Sequence, residues 1–366
     1  MTKKFPVLYA FSSKGKIKMW EVSAESRGDG AVVIKRHGYL NAKIQTNERL
    51  ITKGKNIGKA NETSPYEQAV SEAQSGWNKK VDEKYITELP TEDNTPTFIL
   101  PMLAHPFKKR KHNIMYPALV QMKLNGVRCV AEKLGDMEIR LTSRKGQDYS
   151  VILAHIIPHL NPIMQIGDKW DGEMYKHGWS LQKISSRCRK LRPDTPELEY
   201  HVFDVISDNP CDLRMTYIET MIPDNDPIIK LVKCYSINKE EEVYKYHDGF
   251  VREGHEGVMI RNLNGEYVEN HRSIHLQKYK EFIDDEFEIT GYKEGDGVEK
   301  GCIVYECKTP EGIPFNVRPR GSHDSRKELY LVGDSLIGKD LTVRYQEKSD
   351  DGVPIFPVGI VIRDYE

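Results

Sequence analysis

The chain has 366 residues and a nearly balanced charge, 54 Lys/Arg against 55 Asp/Glu, with a mean hydropathy of −0.60. That length exceeds one ordinary domain and predicts two or three cores, while no apolar run approaches the roughly 18 residues that a bilayer-spanning helix needs, which excludes a membrane span. The stretch 5–11 behind Lys3 and Lys4 is too short for a signal-peptide core, and six cysteines without a CxxC pair or zinc spacing suit a reducing cytoplasm.

Charge is distributed unevenly. Residues 1–85 hold 16 Lys/Arg against 9 Asp/Glu, a surplus of +7, so the remaining 281 sum to −8, and the N-terminal part reads as an anion-binding module. Strands at 8–11 and 17–22 flank the turn Ser12-Ser13-Lys14-Gly15 as a hairpin, and 31–35 reads as a further strand. Ser64-Pro65-Tyr66-Glu67 supplies an N-cap, a first-turn proline and a capping-box glutamate. Ala69, Val70, Ala73 and Trp77 follow at helical spacing, which predicts one helix over about 65–80. The strand Met19-Trp20-Glu21-Val22, a turn at Gly38 and a helix ending near 77–85 resemble a WGR domain, a DNA-end-binding module, over roughly the first 85 residues. His37-Gly38-Tyr39 stands where that family has its Trp-Gly-Arg signature, so its arginine contact is not carried over.

Pro90-Thr91-Glu92-Asp93-Asn94-Thr95-Pro96 is polar and aperiodic, which suits an exposed linker over 89–97 between a module at 1–88 and a second unit at 98–283. In that unit, strand-like runs at 117–124, 128–134, 199–206, 229–235 and 257–262 alternate with helical stretches near 151–160, 179–190 and 237–252, a mixed α/β domain. Past 284 come five short strand patterns, 287–292, 302–308, 315–319, 341–346 and 358–363, which suggest a small barrel such as an OB-fold. The whole is an α+β multidomain chain.

Six short motifs carry the candidate chemistry. Gln121-Met122-Lys123-Leu124-Asn125-Gly126-Val127-Arg128 sets a lysine just before an Asn-Gly turn and an arginine just after it. Alone, this is an ordinary hairpin lysine. Asp171-Gly172-Glu173 and His255-Glu256-Gly257 each place a carboxylate at a glycine beside an apolar strand; singly these are solvated turn glutamates, whereas two near a phosphate-directed lysine would suit a divalent metal. Lys278 and Lys280 stand two apart on one strand and so face one side, as paired cations for a phosphate or as a solvated edge.

Order and spacing link them. Lys123, Ser143-Arg144-Lys145-Gly146, Glu173, Phe203-Asp204, Glu256 and Lys278/Lys280 resemble the nucleotidyltransferase motif series of ATP-dependent DNA ligases, most like those of large tailed phages, over about 98–366. The resemblance implies an ATP-grasp-like adenylation domain followed by an OB-fold, with Lys123 as the nucleophile that takes AMP and passes it to the 5′-phosphate of nicked double-stranded DNA. It implies Mg²⁺, or Mn²⁺ in its place, near Glu173 and Glu256, and nucleotide contacts from Gln121, Arg128, Glu173, Phe203, Lys278 and Lys280. Lys278, Lys280 and the metal would lower the pKa of Lys123. Arg144 matches the position that touches phosphate near the acceptor strand, and Arg363 is implied as the pyrophosphate contact, with the lysine that usually follows it missing from Asp364-Tyr365-Glu366. Phe203 has an equal reading as plain core. Basic runs at 108–111 and 187–192 supply candidate backbone contacts. Asn125, where this family usually has aspartate, keeps an RNA ligase or mRNA guanylyltransferase open as alternatives, beside an inactive DNA-binding relative. A monomer in the cytoplasm, DNA-associated and of viral type, completes the expectation.

Overall fold

The computed structural model describes residues 1–12, 15–91 and 99–363. Ser13 and Lys14 of the first turn, positions 92–98 with the linker's end and Phe98, and the tail 364–366 lie outside the described residues.

The N-terminal module is a five-stranded sheet of β1 (Thr2–Lys4), β2 (Leu8–Phe11), β3 (Ile17–Arg27), β4 (Gly30–Tyr39) and β5 (Gln45–Ile51), in order β1-β3-β4-β5 with β2 also on β3. Helix α1 (Pro65–Asp82) starts at the reciprocal Ser64/Glu67 capping box read from the sequence. It buries Ala69 and Ala73 against Trp20, Val22 and Val33 of the sheet, and Trp77 Nε1 donates to the Pro6 carbonyl at 2.9 Å. Gly38 is not a turn: it pairs with Met19 inside β4, and the chain reverses at Asn41, whose φ is 62°. Glycine is needed at 38 because a Cβ there would stand 2.8 Å from the Lys43 carbonyl oxygen of the returning loop. Strand β5 escapes sequence reading because it is polar and exposed over all but Ile51.

Two five-stranded sheets make the central unit. Its elements in chain order are β6 (Leu103–Pro106), α2 (Phe107–Arg110), β7 (Ala118–Lys123), β8 (Val127–Gly135), β9 (Glu138–Ser143), α3 (Ile157–Leu160), β10 (Lys169–Tyr175), α4 (Leu181–Arg189), β11 (Glu199–Val205), α5 (Cys211–Met221), β12 (Ile229–Leu231), β13 (Tyr235–Ile237), α6 (Glu240–Arg252), β14 (Gly257–Asn262) and β15 (Arg272–Tyr279). One sheet runs β12-β11-β10-β8-β9 and the other β13-β7-β14-β15-β6. The run at 229–235, read as one strand, is split, since β12 joins the first sheet and β13 the second. Trp170, Tyr200, Leu141, Leu153 and Ile156 are fully buried in the first sheet's core.

A buried ion triad ties the two sheets. Asp204 on β11 accepts Arg214 Nε at 2.8 Å and Arg261 Nη1 at 2.5 Å, and all three side chains are at most 3% exposed. Arg214, on α5, also donates to the carbonyls of Asn209 and Gly265 at 2.7 and 2.8 Å. Burial pushes the Asp204 carboxyl up, but the two guanidiniums outweigh it and hold it below the usual range.

The C-terminal unit is a closed barrel, β16-β17-β18-β20-β19, of β16 (Ile283–Glu294), β17 (Ile303–Lys308), β18 (Pro314–Pro319), β19 (Asp340–Tyr345) and β20 (Val358–Arg363), with α7 (His323–Leu331) between β18 and β19. Strict alternation puts Phe315 and Val317 inside with Phe287, Tyr305, Val343 and Tyr345.

Removing Asp204 leaves two arginines in a dry interior. Asp204→Ala should lose about 3–5 kcal/mol of stability in chemical denaturation at pH 7. Because the native pKa is depressed, the Asp204 contribution is present above the unfolded value and is lost as pH falls through the native one, so the gap between wild type and variant should close in acid.

Candidate active site

Strand register gathers the motifs. Lys123, the last residue of β7, faces Gly257 at the start of β14, and one row along Gln121, Met259 and Lys278 stand side by side across β7, β14 and β15. Side chains two apart on a strand share a face, so Lys123 and Lys278 point the same way. On the other sheet Glu173 of β10 sits opposite Arg128 of β8. Between the sheets lies a cleft of about 740 Å³ whose wall includes Lys123, Arg128, Arg144, Glu173, Phe203 and Lys278.

Glycine at 257 is a steric requirement: its φ is +154°, and a Cβ there would stand 2.4 Å from the Tyr279 carbonyl oxygen. That tight crossing lets the Glu256 N–H reach the Lys123 carbonyl at 2.9 Å, and it delivers the Glu256 side chain to the Lys123 ammonium, with which it forms a close ion pair. The second oxygen of Glu256 accepts Lys280 Nζ at 2.5 Å. Burial raises the Glu256 carboxyl, but Lys123 and Lys280 together hold it below its usual range. Lys278 stays in the cleft, and burial, followed by repulsion from Lys123 and Lys280, lowers its ammonium below the lysine norm. Lys280 lies one residue past β15, and its Nζ turns toward Glu256 and Gln346 of the barrel instead of sharing the cleft with Lys278.

Several residues expected to contact the nucleotide are also bonded within the protein. The Gln121 amide is spent on the protein: its Nε2 donates to the carbonyls of Phe203 and Val232 at 3.2 and 3.0 Å, and its Oε1 accepts Arg261 Nε at 2.7 Å. It therefore fixes the cleft wall and has no free polar atom of its own to offer, because a buried amide is stable only when satisfied. Arg128 grips buried Asp171 through Nε at 2.8 Å and a second close contact, and donates to the Met102 carbonyl at 2.7 Å. Its guanidinium and that of Arg261 lie 5.5 and 5.9 Å from the Phe203 ring centroid, so Phe203 is both partly packed on the core and open to the cleft. Arg363 is outside the cleft altogether, its Nε 2.9 Å from both Glu286 and Thr342 on the barrel. Of the basic run at 187–192, Arg187 is committed to Asp194 at 2.8 Å, whereas Arg189 lines the cleft.

The wall carries nine cationic side chains against three carboxylates. Lys123, Arg128 and Arg261 have carboxylate partners; among the described residues Lys79, Arg144, Lys145, Arg189, Arg272 and Lys278 form no ion pair, which leaves a basin suited to a polyanion such as a triphosphate. Sequence reading passes over Arg272 and the α1 residues Lys79, Asp82 and Glu83, because nothing local shows that a helix from another module reaches this wall. Glu173, deep in the cleft, is pushed up to about 7 by burial despite Lys123 and Arg128. Among the described residues no group of three or more His, Cys, Asp or Glu side chains could hold a metal. Glu173 and Glu256 lie near enough to repel each other's charge, and Mg²⁺ keeps several waters and binds through one or two carboxylates beside substrate phosphates.

Comparison with known proteins agrees with this chemistry. Residues 101–280 match the ATP dependent DNA ligase domain family and 294–363 the DNA ligase OB-like domain family. The chain is 31% identical over 337 residues to a DNA ligase of African swine fever virus, spanning 86% of this chain and 79% of that one. To the DNA ligase of Enterobacteria phage T4 it is 25% identical, over 72% of this chain and 68% of that one. A solved structure described as one of the Lig E DNA ligases shares the fold at a TM-score of 0.59 and 19% identity, covering 73% of this chain and 100% of that one.

A carboxyl raised from 4.5 to about 7 favours folding below its unfolded value, and that contribution is lost as pH rises through 7. Glu173→Gln should therefore be more stable than wild type at pH 8, by roughly 1–3 kcal/mol, and indistinguishable near pH 4; urea unfolding at both values checks it.

Proposed function

The chain belongs to the ATP-dependent DNA ligase family, and from that premise we propose how its own residues seal a nick. The observation that carries the reading is the Lys123 amine in the wall of a cleft with six cations that, among the described residues, have no ion-pair partner.

Lys123 Nζ attacks the α-phosphorus of ATP; an N–P bond forms and the bond to pyrophosphate breaks. Only the neutral amine attacks, so the Lys123–Glu256 contact must open, and Glu256 is the group placed to take the proton. Lys278 and Arg272 face the phosphates across the cleft and stabilise the charge that grows on them. Phe203 stacks the base, and Arg128 and Glu173 meet the ribose. Glu173 and Glu256 would hold Mg²⁺, or Mn²⁺ in its place, and the ion when bound neutralises phosphate charge. The 5′-phosphate of the nick then displaces Lys123 from AMP, and the 3′-hydroxyl displaces AMP to form the phosphodiester, with Arg144 on the acceptor side. Arg363 serves the pyrophosphate only in an arrangement that brings the barrel's last strand to the cleft.

The domain extents that fit this division of labour are 1–88, 98–283 and 284–366, joined by the linker at 89–97. The first acts as a WGR-like DNA-binding module, supported by the +7 surplus of residues 1–85 and by the exposed Lys53, Lys55 and Lys59 between β5 and α1. The free state of all six cysteines and the viral relatives support action in a host cytoplasm, where the chain works as a monomer. No helix among the described residues is long and apolar enough to cross a membrane.

Incubation with α-labelled ATP and Mg²⁺ should label wild type and leave Lys123→Ala unlabelled; an equally labelled variant would overturn the assignment. Nicked duplex DNA should be sealed in preference to nicked RNA. Replacing Lys53, Lys55 and Lys59 by alanine should weaken nicked-DNA binding and flatten its salt dependence by a log–log slope of about 0.9 for each phosphate no longer neutralised, measured by anisotropy from low to moderate salt.

A further inference from the structure

The two faces of the N-terminal sheet carry charge differently. Side chains alternate along a strand, and Trp20, Val22, Ala31 and Val33 pack under α1. Lys18 of β3 and Lys35, His37 and Tyr39 of β4 therefore share that face, with Lys18 opposite Tyr39 and Lys35 opposite Val22. Lys16 adds its ammonium 6.0 Å from the Tyr39 ring centroid. On the opposite face the arginines are answered, Arg27 by Glu48 at 2.7 Å and Arg36 by Glu21 at 3.7 Å, whereas among the described residues Lys16, Lys18 and Lys35 form no ion pair. The strip runs up to the active-site cleft. Gly76 of α1 rests on Trp20 and Lys35, whose Cη2 and Cε would lie 3.7 and 3.9 Å from a Cβ there, and Lys79, one helical turn on, lines the cleft. Glu83 at that end of α1 is answered by Lys80 at 2.6 Å, which leaves Asp82 as one acid of the helix end against Lys16, Lys18, Lys35 and Lys79.

We propose that this strip and the cleft form one continuous track for nicked duplex DNA. With the nick at Lys123, the arm that leaves the cleft past Lys79 crosses the α1 face of the N-terminal sheet, where Lys18 and Lys35 neutralise its backbone phosphates. Unpaired lysines spread along a sheet meet successive phosphates without reading a base. Gln45 and Asn47 of β5, beside His37 and Lys35, keep the strip polar, which suits phosphate and sugar contacts, whereas protein interfaces are depleted in lysine. The loop bearing Lys53, Lys55 and Lys59 lies at the other end of α1, roughly 25 Å away at 1.5 Å per residue, so the two basic surfaces can be removed separately. The track presupposes that the N-terminal module binds DNA; it specifies which face does so and which part of the substrate is held there.

The test varies the length of the DNA arms. Full-length wild type, Lys18→Ala/Lys35→Ala, Lys18→Arg/Lys35→Arg and Lys53→Ala/Lys55→Ala/Lys59→Ala are titrated, without ATP or Mg²⁺, into nicked duplexes closed by uncharged linkers. Each arm is either about 5 or about 20 base pairs long. From β7 to β6 is three strands, about 14 Å, so an arm of about 5 base pairs, about 17 Å long, ends before the strip. On long-armed DNA the alanine pair should bind about tenfold more weakly at moderate salt, and its log–log salt slope should fall by about 1.8, or about 0.9 for each of two phosphates. The arginine pair keeps the charge and should bind as wild type does. Shortening the arm on the strip's side should cost wild type the same factor and make it equal to the alanine pair, while shortening the other arm should leave the gap between the two proteins intact. Equal binding of long-armed DNA by wild type and the alanine pair overturns the track, and so does a gap that persists when both arms are short. If the Lys53, Lys55 and Lys59 set alone weakens binding, the module binds DNA by its loop and not by this face; if neither set does, the DNA-binding role of the module fails with it.

Discussion

Two arginines sharing one carboxylate in a dry interior hold the central unit in shape. Arg261 reaches Asp204 from the second sheet and Arg214 reaches it from α5, so the three charges pin β11 to β14 where no continuous hydrogen-bond ladder joins them. Such a triad contributes little net stability compared with well-packed apolar groups, but breaking it is costly, and that asymmetry makes one arrangement of the sheets far better than its neighbours. The same Arg261 binds Gln121, and Gln121 binds the Phe203 carbonyl. The cleft's width and the placement of its aromatic ring follow from this one knot.

What the knot frames is an electrostatic imbalance. Three of the wall's cations are neutralised from behind by Asp171, Asp204 and Glu256, and the rest wait on whatever enters. Glu256 serves the nucleophile and Lys280 with separate oxygens, which places one carboxylate between the two ammoniums. Glu173 sits apart, its proton loosely held near neutrality, because the cleft floor solvates it poorly. A negative substrate supplies the missing charge to the cations.

Much of the architecture is legible in local pattern. The barrel's strands alternate so regularly that five of them can be read in order from 287 to 363, and the α1 capping box is written out in four residues. The motif lysines and glutamates can be read because each sits at a strand end or beside a glycine, where a side chain can escape the sheet. Long-range pairing is not legible. Nothing near Arg128 names Asp171, 43 residues away, and nothing near Asn125 names Glu347, 222 residues away. Gln121 has the look of a ligand because it shares a strand with Lys123, yet its amide meets buried carbonyls. Arg363 is suggested by position in a motif series, and its real neighbours are set by where the barrel sits.

The Asn125-Gly126 step has a consequence for the lifetime of the molecule. Asparagine followed by glycine is the sequence most prone to lose side-chain ammonia, since glycine leaves the backbone nitrogen unhindered for ring closure onto the amide carbon, and hydrolysis of that ring yields aspartate or isoaspartate. Here the amide is held by two hydrogen bonds to Glu347 of the barrel, bonds that ring closure would have to break. The barrel thus acts as a preservative for the turn it grips. Without that grip the amide would be free to cyclise, and the change would be irreversible.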